Sequence, residues 1–348
     1  MSIPWTSDKI LEMARSFQGS CVLIAAAELG IFTILKARSL EAAEVAERAS
    51  ADPRAVTIIL DALAALGLLE KKGLSYGLAA GVGDALVEGS PKSALDMVLH
   101  LGNCLRRWAE LARTAKGGAP VQCPPSIRGA AADQAAFIGA MDEISRSVAG
   151  DLVERLGPRR FHHILDVGGA SGTWTIAFLR AAPGSRATIF DLPEVVPLAR
   201  KRLSDAGVAD RVTFVPGDFY RNELPGGADL VWLSAIVHQN SREQNRDLFA
   251  KAHRALAEGG CIAIRDILME GDRTRPVVGA LFAVNMLAAT EGGGTFTFGE
   301  LEEDLLAAGF ADASLIRKGE AMDSLVTARK GERSLRKTTA SSVAATGE

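Results

Sequence analysis

The sequence predicts an α/β protein: a doubly wound parallel sheet follows an N-terminal winged-helix-like domain that is all-helical apart from one short hairpin. Two observations support this. Beyond residue 164, short apolar segments alternate with helical segments, which is typical of parallel strands joined by helices. Before residue 100, the order helix, turn, helix and hairpin outlines a winged helix. The predicted domains are residues 1–100, connecting helices at 101–155, the sheet domain at 156–330 and a disordered tail at 331–348.

The composition is that of a soluble protein without a nucleic-acid or membrane partner. The 39 Lys and Arg residues nearly balance the 42 Asp and Glu residues, so no basic excess favours nucleic acid. No apolar run reaches the ~20 residues that span a bilayer, and the N-terminus lacks the pattern of a secretory signal. We therefore expect a cytoplasmic protein. The four cysteines lack metal or redox spacing and are interpreted as free thiols.

The first helices of the chain are strongly apolar. Residues 7–35 contain long apolar stretches broken at Gly30, and such helices must pack in the core or against a second subunit. Residues 39–49 predict a further helix with an N-cap at Ser39.

The next segment decides whether the winged-helix outline indicates DNA binding. Asp52-Pro53 predicts the start of a helix that runs to Leu66, and residues 68–78 predict a short hairpin. The helical residues 55–66 are almost devoid of side chains that could reach base edges or phosphates. DNA reading is therefore disfavoured.

The middle of the chain predicts connecting helices between residues 84 and 151. Gly117–Pro120 and Cys123–Ser126 interrupt them and mark a loop. Residues 137–145 predict a helix that leads into the second domain.

The second domain predicts alternating strands and helices. Strands are expected at residues 164–167, 187–190, 212–215, 229–234, 261–266, 313–317 and 324–329, with helices at 173–180, 194–205, 242–256, 278–289 and 298–308.

A glycine-rich turn follows the first of these strands. Within the segment Ile164–Gly172, a short apolar run ends at Asp166, and small residues follow it before a helix begins. Glycines let a backbone turn sharply and approach a ligand closely, and the helix that follows offers unpaired N–H groups. The turn suits a nucleotide-like cofactor, although a structural strand-to-helix junction has the same pattern.

Acidic residues end three successive strands, and in a parallel sheet such residues converge at one edge. Asp191 is placed to accept from both hydroxyls of a ribose. Asp218 beside Phe219 suits an adenine ring. Asp166 would repel a pyrophosphate and attract a cationic amino-acid moiety. These acids favour S-adenosylmethionine over a dinucleotide as the cofactor.

Five motifs in order resemble one enzyme family. They are Asp166-Val-Gly-Gly-Ala-Ser-Gly172, Asp191-Leu-Pro193, Gly217-Asp-Phe219, Ile236-Val-His238 and residues 285–293. Together they are similar to the caffeate and hydroxyindole type of S-adenosylmethionine-dependent O-methyltransferase, over nearly the whole chain. The resemblance implies a Rossmann-like methyltransferase sheet, and an N-terminal domain that forms a homodimer and covers the active site.

The resemblance also implies the cofactor-binding residues. They are Ser145 at the methionine end, Asp166, Gly168, Gly169, Asp191, Leu192, Asp218, Phe219 and Ser234. Ser234 stands where many members of the family have a lysine. A serine can still form a hydrogen bond with the cofactor, but without the charge.

His238 matches the family's general base, which removes a proton from the acceptor hydroxyl. Asp266 matches a carboxylate that steadies this histidine. The chain departs from the family pattern at Gln239, where an acid is usual, and at Thr295, which replaces a second steadying carboxylate; Glu291 is a candidate substitute. No histidine pair with an acid has metal-ligand spacing, so no metal is predicted.

By match to the family, the methyl acceptor lies between the two domains. The candidate acceptor-binding residues are Met141, Phe282, Asn285, Met286 and Thr290, with Trp108 and Phe137 from the connecting helices. A flat hydrophobic molecule suits Met and Phe, so the expected acceptor is small and aromatic.

The prediction is a homodimeric, metal-independent methyltransferase that acts on a hydroxyl group. Because two carboxylates are missing, transfer to sulfur, or a reaction without methyl transfer on the same fold, stays open. A winged-helix regulator that senses S-adenosylmethionine and an NAD-dependent dehydrogenase are the rival classes.

Overall fold

The N-terminal segment folds as helices around a small antiparallel sheet. The structure, a computed structural model, describes residues 4–331, so the tail predicted at 331–348 lies outside the described residues except for Gly331. In chain order the elements are α1 (Ser7–Arg15), α2 (Phe17–Glu28), α3 (Ile31–Ile34), β1 (Leu40–Glu41), α4 (Ala42–Arg48), α5 (Pro53–Ala65), β2 (Leu69–Lys72), β3 (Ser75–Leu78) and α6 (Val82–Leu86).

The predicted start of α4 is wrong. Leu40–Glu41 pairs antiparallel with β3, so the hairpin becomes a three-stranded sheet and the helix begins at Ala42 without a side-chain cap. The reason is burial: Leu40 lies opposite Tyr76, and both side chains are in the core. Removing this apolar surface from water outweighs a serine cap, which contributes only about 1 kcal/mol.

Helix α5 begins as predicted and buries its apolar face inside the protein. The Asp52 carboxylate accepts from the backbone N–H of Ala55 at 2.8 Å, and Pro53 occupies the first turn. Val56, Leu60 and Leu63, spaced along one face, are fully buried. The helix is thus a core element, as its composition indicated.

Helices α1 and α2 follow each other with only Ser16 between them. The joined stretch Ser7–Glu28 has 22 residues, and an 18-residue window within it has a mean hydropathy of 1.2, which is long and apolar enough to cross a membrane by length and composition. This departs from the expectation that no segment reaches such a length, because charged residues of α1 are interspersed among the apolar ones. Few of its residues are buried, and its exposed large apolar side chains are Ile10, Leu11, Met13 and Phe17.

Four helices connect the N-terminal segment to the large sheet: α7 (Leu95–Trp108), α8 (Leu111–Gly117), α9 (Ala130–Arg146) and α10 (Ala149–Arg155). The loop between α8 and α9 is where glycine and proline residues predicted it. Helix α7 packs against α2, α9 and a later helix at Val277–Ala289. It runs through residue 100, so the predicted domain boundary falls inside a continuous helix.

The second domain is built on a seven-stranded sheet. Its elements are β4 (His163–Val167), α11 (Thr173–Ala181), β5 (Arg186–Asp191), α12 (Val196–Asp205), β6 (Val212–Pro216), β7 (Ala228–Ser234), α13 (Arg242–Ala255), β8 (Leu256–Asp266), β9 (Leu268–Met269), α14 (Val277–Ala289), β10 (Phe296–Thr297), α15 (Phe298–Ala307), β11 (Phe310–Arg317) and β12 (Ser324–Lys330). Strand order is β11-β12-β8-β7-β4-β5-β6, in which β12 runs antiparallel to both neighbours and β8 to β6 are parallel.

The chain reverses its direction of winding at β4. Strand β5 lies on one side of β4 and β7 on the other, so a crevice opens beyond the carboxyl end of β4. Both faces of the sheet are covered. On one face, Trp232 is fully buried and its ring lies 4.9 Å from Trp174 and 5.3 Å from Phe178 of α11. This packing fixes the strand ends that form the crevice.

Candidate active site

A cavity of about 500 Å³ lies at the carboxyl ends of the parallel strands. Every residue predicted to contact the cofactor, except Asp166, lines it: Ser145, Gly168, Gly169, Asp191, Leu192, Asp218, Phe219 and Ser234. Met141, predicted to contact the acceptor, lines the same cavity, as do Trp174, Tyr220, Gln239 and Arg265.

The glycine turn forms the centre of the cavity wall. Gly168 has a φ of 66°, and a Cβ atom there would lie 2.4 Å from Cδ1 of Ile236, so the position requires glycine. Its N–H donates to the carbonyl of Phe190 at 2.8 Å, and the N–H of Ala170 donates to the Asp191 carboxylate at 2.7 Å. The turn is therefore held to the end of the neighbouring strand β5.

Asp191 has the geometry of a diol-binding acid. Its second carboxylate oxygen accepts from the N–H of Leu192 at 2.7 Å, so both oxygens are oriented by the backbone. Each oxygen keeps acceptor capacity for a ligand hydroxyl. Burial raises the pKa of this carboxyl above its ordinary value, while the hydrogen bonds from Ala170 and Leu192 oppose the shift.

Asp166 lies beneath the turn, outside the cavity lining. It is fully buried and accepts from the Thr175 hydroxyl at 2.7 Å. A Cβ atom on Gly169 would lie 3.1 Å from its carboxyl carbon, so the acid packs against the turn from behind. Burial raises the pKa of Asp166 to about 7. The geometry favours a structural role for this acid over the predicted contact with a cationic ligand group.

Phe219 and Tyr220 form an aromatic corner beside Asp218. The two rings are 4.5 Å apart, and Asp218 accepts from the N–H of Tyr220 at 2.9 Å. The ammonium group of Lys251 donates to the carbonyl oxygens of Phe219 and Tyr220, at 2.8 and 3.1 Å. The corner is thus a fixed apolar wall beside an acid, which suits a heteroaromatic ring with an exocyclic amine.

Asp142 supports the site from outside the cavity lining, and the sequence reasoning missed it. It is buried on α9, and one carboxylate oxygen accepts from the Thr173 hydroxyl and from Arg202. These contacts join α9 to α11 and α12 next to the glycine turn. The available signal was an acid on the apolar 137–145 helix, since a buried acid needs partners.

Arg265 was also missed. Its side chain is only 2% exposed, lines the cavity and donates to the Ser234 hydroxyl at 3.2 Å. Its guanidinium carbon lies 5.0 Å from the centre of the Trp174 ring. The signal was a cation directly after the apolar residues 262–264, because a charge at the end of a buried strand is costly unless it has a partner.

His238 is paired with Asp266 as the resemblance implied. The histidine lies in a short 3-10 turn after β7, and its Nδ1 is 2.9 and 3.0 Å from the two carboxylate oxygens of Asp266. Because carboxylate oxygens accept, this pair favours the tautomer with the proton on Nδ1 and leaves Nε2 as an acceptor. The imidazole meets the Phe282 ring edge to face, with 4.8 Å between the ring centres.

The 292–294 turn supports His238 through its backbone. The N–H of Gly294 donates to the carbonyl of His238 at 2.8 Å, and a Cβ atom on Gly293 would lie 2.6 Å from the same oxygen. Glu291 is exposed and Thr295 is buried; among the described residues, neither makes a hydrogen bond to the imidazole. The missing second carboxylate therefore has no side-chain replacement in this part of the chain.

Most residues predicted to contact the acceptor lie on α14 near His238, outside the cavity lining. Phe282 contacts the histidine ring, and Asn285 accepts from the indole N–H of Trp108 at 2.9 Å. Met286 is buried. The hydroxyl of Thr290 donates to the carbonyl of Met286 and accepts from the N–H of Gly293, so it holds the turn.

No group of three or more metal-ligating side chains could hold a metal ion within residues 4–331. The site therefore offers a histidine, acids and an arginine, without a metal cluster in the part of the chain that the structure describes.

Comparison with known proteins assigns both halves of the chain. Residues 126–311 match the model of the O-methyltransferase domain, and residues 11–88 match that of the O-methyltransferase dimerisation domain. The tetracenomycin polyketide synthesis 8-O-methyl transferase of Streptomyces glaucescens is 33% identical over 309 residues, which cover 87% of this chain and 91% of the relative. The L-tyrosine C(3)-methyltransferase of Streptomyces lavendulae is 30% identical over 315 residues, covering 86% and 85%.

Among solved structures, human N-acetylserotonin methyltransferase in complex with S-adenosylmethionine has 27% sequence identity and a TM-score of 0.80, covering 95% of this chain and all of that one. The order of strands, the glycine turn and the matched domains agree with the expected resemblance. The chain therefore belongs to the S-adenosylmethionine-dependent O-methyltransferases of the hydroxyindole type.

Proposed function

We propose that this protein methylates a hydroxyl group of a small aromatic molecule, with S-adenosylmethionine as methyl donor and His238 as general base. One observation carries the proposal: the Asp266 carboxylate is 2.9 Å from Nδ1 of His238, and the histidine stands between Ile236 and Gln239, which line the cavity. This arrangement leaves Nε2 free to take up a proton next to the site where the donor is expected.

The cavity fits the proposed donor. Asp191 would hold the ribose hydroxyls, and Asp218 with Phe219 would hold the adenine. Gly168 packs directly against Ile236 in the cavity wall, and Ser145, Gly169, Leu192 and Ser234 complete the wall. When bound, S-adenosylmethionine supplies an electrophilic methyl group on a sulfonium sulfur.

The residues of the chain handle the proton. In the proposed step, Nε2 of His238 accepts the proton of the acceptor hydroxyl, and the oxygen keeps the electron pair. The Asp266 carboxylate stabilises the imidazolium that forms, as the orienting acid does in other histidine-based sites. The N–H of Gly294 holds the backbone carbonyl of His238.

The acceptor is expected on the His238 side of the cavity, against α14. Phe282 and Met286 provide apolar contacts there, and Met141 approaches from α9. The carbonyl oxygen of Asn285 is already engaged by Trp108, which leaves its amide N–H groups for the acceptor. The named relatives that act on a polyketide and on N-acetylserotonin support an aromatic acceptor.

Transfer to a ring carbon beside a phenol is the second candidate. The relative named as an L-tyrosine C(3)-methyltransferase supports it. Removal of a phenol proton by His238 raises the electron density at the oxygen and also at the neighbouring ring carbon. The same base step starts both reactions. On the carbon route the ring carbon must afterwards lose its own proton, and the oxygen regain one, to restore the aromatic ring, and the position of the methyl group distinguishes the products.

We also infer a cytoplasmic homodimer. Helices α1 and α2 expose large apolar side chains, and the dimerisation-domain match covers most of them. Phe17→Asp should therefore shift the mass measured by light scattering from twice 36.6 kDa to one chain. Leu74→Asp, on the exposed tip of the β2–β3 hairpin, is the matched control. A wild-type mass of one chain would contradict the dimer.

The reaction is tested by incubating the protein with S-adenosylmethionine and a panel of phenols, catechols, hydroxyindoles, thiols and thioethers. S-adenosylhomocysteine and methylated products are then measured by mass spectrometry. We expect methylated phenols or hydroxyindoles. Release with sulfur compounds alone would contradict a hydroxyl acceptor.

His238→Ala should lower turnover about 100-fold or more while S-adenosylhomocysteine still binds. His162→Ala, an exposed histidine before the same sheet, is the control. Unchanged turnover in His238→Ala would remove the histidine from the role of base. A thermal shift with NAD but not with S-adenosylmethionine would indicate a dehydrogenase instead.

A further inference from the structure

Arg265 is a buried cation whose hydrogen bonding is incomplete. Its side chain is 98% buried, and its Nε has no hydrogen-bond partner within residues 4–331. One terminal nitrogen donates to the Ser234 hydroxyl, and the guanidinium stacks near Trp174. These contacts are with neutral groups, so they do not compensate the charge.

The acids near Arg265 are committed to other residues. Asp266 is paired with His238, and Asp323 is paired with Arg317 at 2.7 Å. Across the described residues, no carboxylate lies within ion-pair distance of Arg265. Burial lowers its pKa to about 10, which still leaves it charged at neutral pH. A buried charge is costly without a partner of opposite sign, so an arginine kept at this position indicates an anionic ligand group.

The position of Arg265 in the sheet identifies that group. This step rests on the proposed function, in which Asp191 holds the ribose and Asp218 the adenine. Asp191 ends β5 and Asp218 follows β6, on one side of the glycine turn. Arg265 and Ser234 end β8 and β7, on the other side of β4, and they are register partners. A ligand that starts at β6 and crosses the turn reaches Arg265 with its opposite end. In S-adenosylmethionine, that end is the methionine moiety, whose only anion is the carboxylate.

We propose that Arg265 binds the methionine carboxylate of S-adenosylmethionine, in place of the lysine that the family pattern has at position 234. The charge is supplied from the neighbouring strand, and Ser234 orients it through its hydroxyl. The two-nitrogen edge of a guanidinium matches a carboxylate. Arg265 is thus a cofactor-positioning residue.

The test is a cycle of two proteins and two ligands. The binding affinity of each pair is measured by calorimetry, without an acceptor. The proteins are wild type and Arg265→Met, which keeps the length of the side chain but removes the charge. The ligands are S-adenosylhomocysteine and its decarboxylated analogue, which keeps the adenosine, the sulfur and the amine. Arg265→Lys tests whether charge alone suffices. Arg254→Met, which removes an exposed guanidinium paired with Glu223, controls for net charge.

We expect wild type to bind S-adenosylhomocysteine roughly 10- to 100-fold more tightly than the decarboxylated analogue. In Arg265→Met this preference should disappear, and the analogue should bind as well as it does to wild type or better, because its ammonium no longer faces a cation. Arg265→Lys should keep most of the preference, and Arg254→Met all of it. Without ligand, Arg265→Met should unfold at the same temperature as wild type or higher, since a buried unpaired charge is removed.

Equal binding of the two ligands by wild type would overturn the inference, even if Arg265→Met failed to fold. A loss in Arg265→Met that is the same for both ligands would also overturn it, since that indicates a structural role. In both cases the proposed function would survive, because the donor still binds. If wild type bound neither ligand, the proposed function itself would fail, and the inference with it.

Discussion

Asp166 predicts an unusual dependence of stability on pH, which Asp166→Asn should remove. The side chain is fully buried under the glycine turn, and burial raises its pKa from 3.8 to about 7. The nearby charge of Asp191 adds to the shift, and the Thr175 hydrogen bond opposes it. In the folded protein the group is therefore protonated at pH values where it is ionised in the unfolded chain.

The sign and size of the effect follow from this difference. Because the folded pKa is raised, the stabilising contribution is complete below about pH 4 and is lost as pH rises through about 7. Within this window the free energy of unfolding decreases by up to about 1.4 kcal/mol per pH unit, or about 4 kcal/mol in total. An asparagine does not titrate, so the free energy of unfolding of wild type minus that of Asp166→Asn should decrease by this amount over the whole window, of which about 3 kcal/mol falls between pH 4.5 and 7.5.

The measurement is urea unfolding of both proteins from pH 4.5 to 7.5, at one fixed protein concentration because a dimer's stability depends on concentration. Taking the difference between the proteins cancels the other titrating groups. Asp151→Asn is the control: this exposed acid has its pKa lowered by Arg155, so it is ionised in both the folded and the unfolded chain across this range, and its difference should stay nearly constant. A wild-type minus Asp166→Asn difference that stays constant with pH would refute the reasoning.

Three further predictions concern the base and the framework. Asp266→Asn should lower kcat roughly 10²- to 10⁴-fold, since the histidine tautomer is no longer fixed, while S-adenosylhomocysteine affinity in calorimetry stays within about threefold. Gly293→Ala should lower kcat by displacing the His238 carbonyl, whereas Gly294→Ala, whose Cβ would meet no atom within 4 Å, should leave steady-state kinetics unchanged. Arg242→Ala should lower the free energy of unfolding in urea by about 3 kcal/mol, because buried Asp304 loses two of its hydrogen bonds, whereas Arg254→Ala on an exposed pair should change it by less than about 1 kcal/mol.

The fold was predictable where local pattern and burial agree. The strands around Asp166, Asp191 and Asp218 are short apolar runs that end in an acid, and the structure has β4 and β5 ending there and β6 just before Asp218. The exception at Leu40 is instructive. A serine before an alanine-rich run indicated a helix cap, but pairing with β3 buries Leu40 against Tyr76, and a pairing partner 36 residues away leaves no local signal.

The site was predictable only in part. The residues that follow strands lie together in the cavity, because parallel strands bring their carboxyl ends to one edge. Contacts that depend on side-chain direction were not accessible in this way. Asp166 and Asp191 both follow apolar runs, yet one packs behind the turn and the other lines the cavity. The role proposed for Arg265 depends on its register with Ser234 on the neighbouring strand, and a linear sequence does not reveal that register.

The support around His238 predicts which acceptors react fastest. Within residues 4–331 the imidazole has one carboxylate partner, Asp266, and no second acid contacts it; the Gly294 N–H reaches only the backbone carbonyl of His238. A single carboxylate makes a weaker base than two, so more of the proton-transfer driving force must come from the acceptor itself. Among phenols of similar size, kcat in saturating donor should therefore rise as the acceptor pKa falls. Gln239→Asp, which restores an acid next to the base, should flatten that dependence. A kcat that is independent of acceptor acidity would mean that alignment of the reacting atoms, and not proton removal, limits turnover.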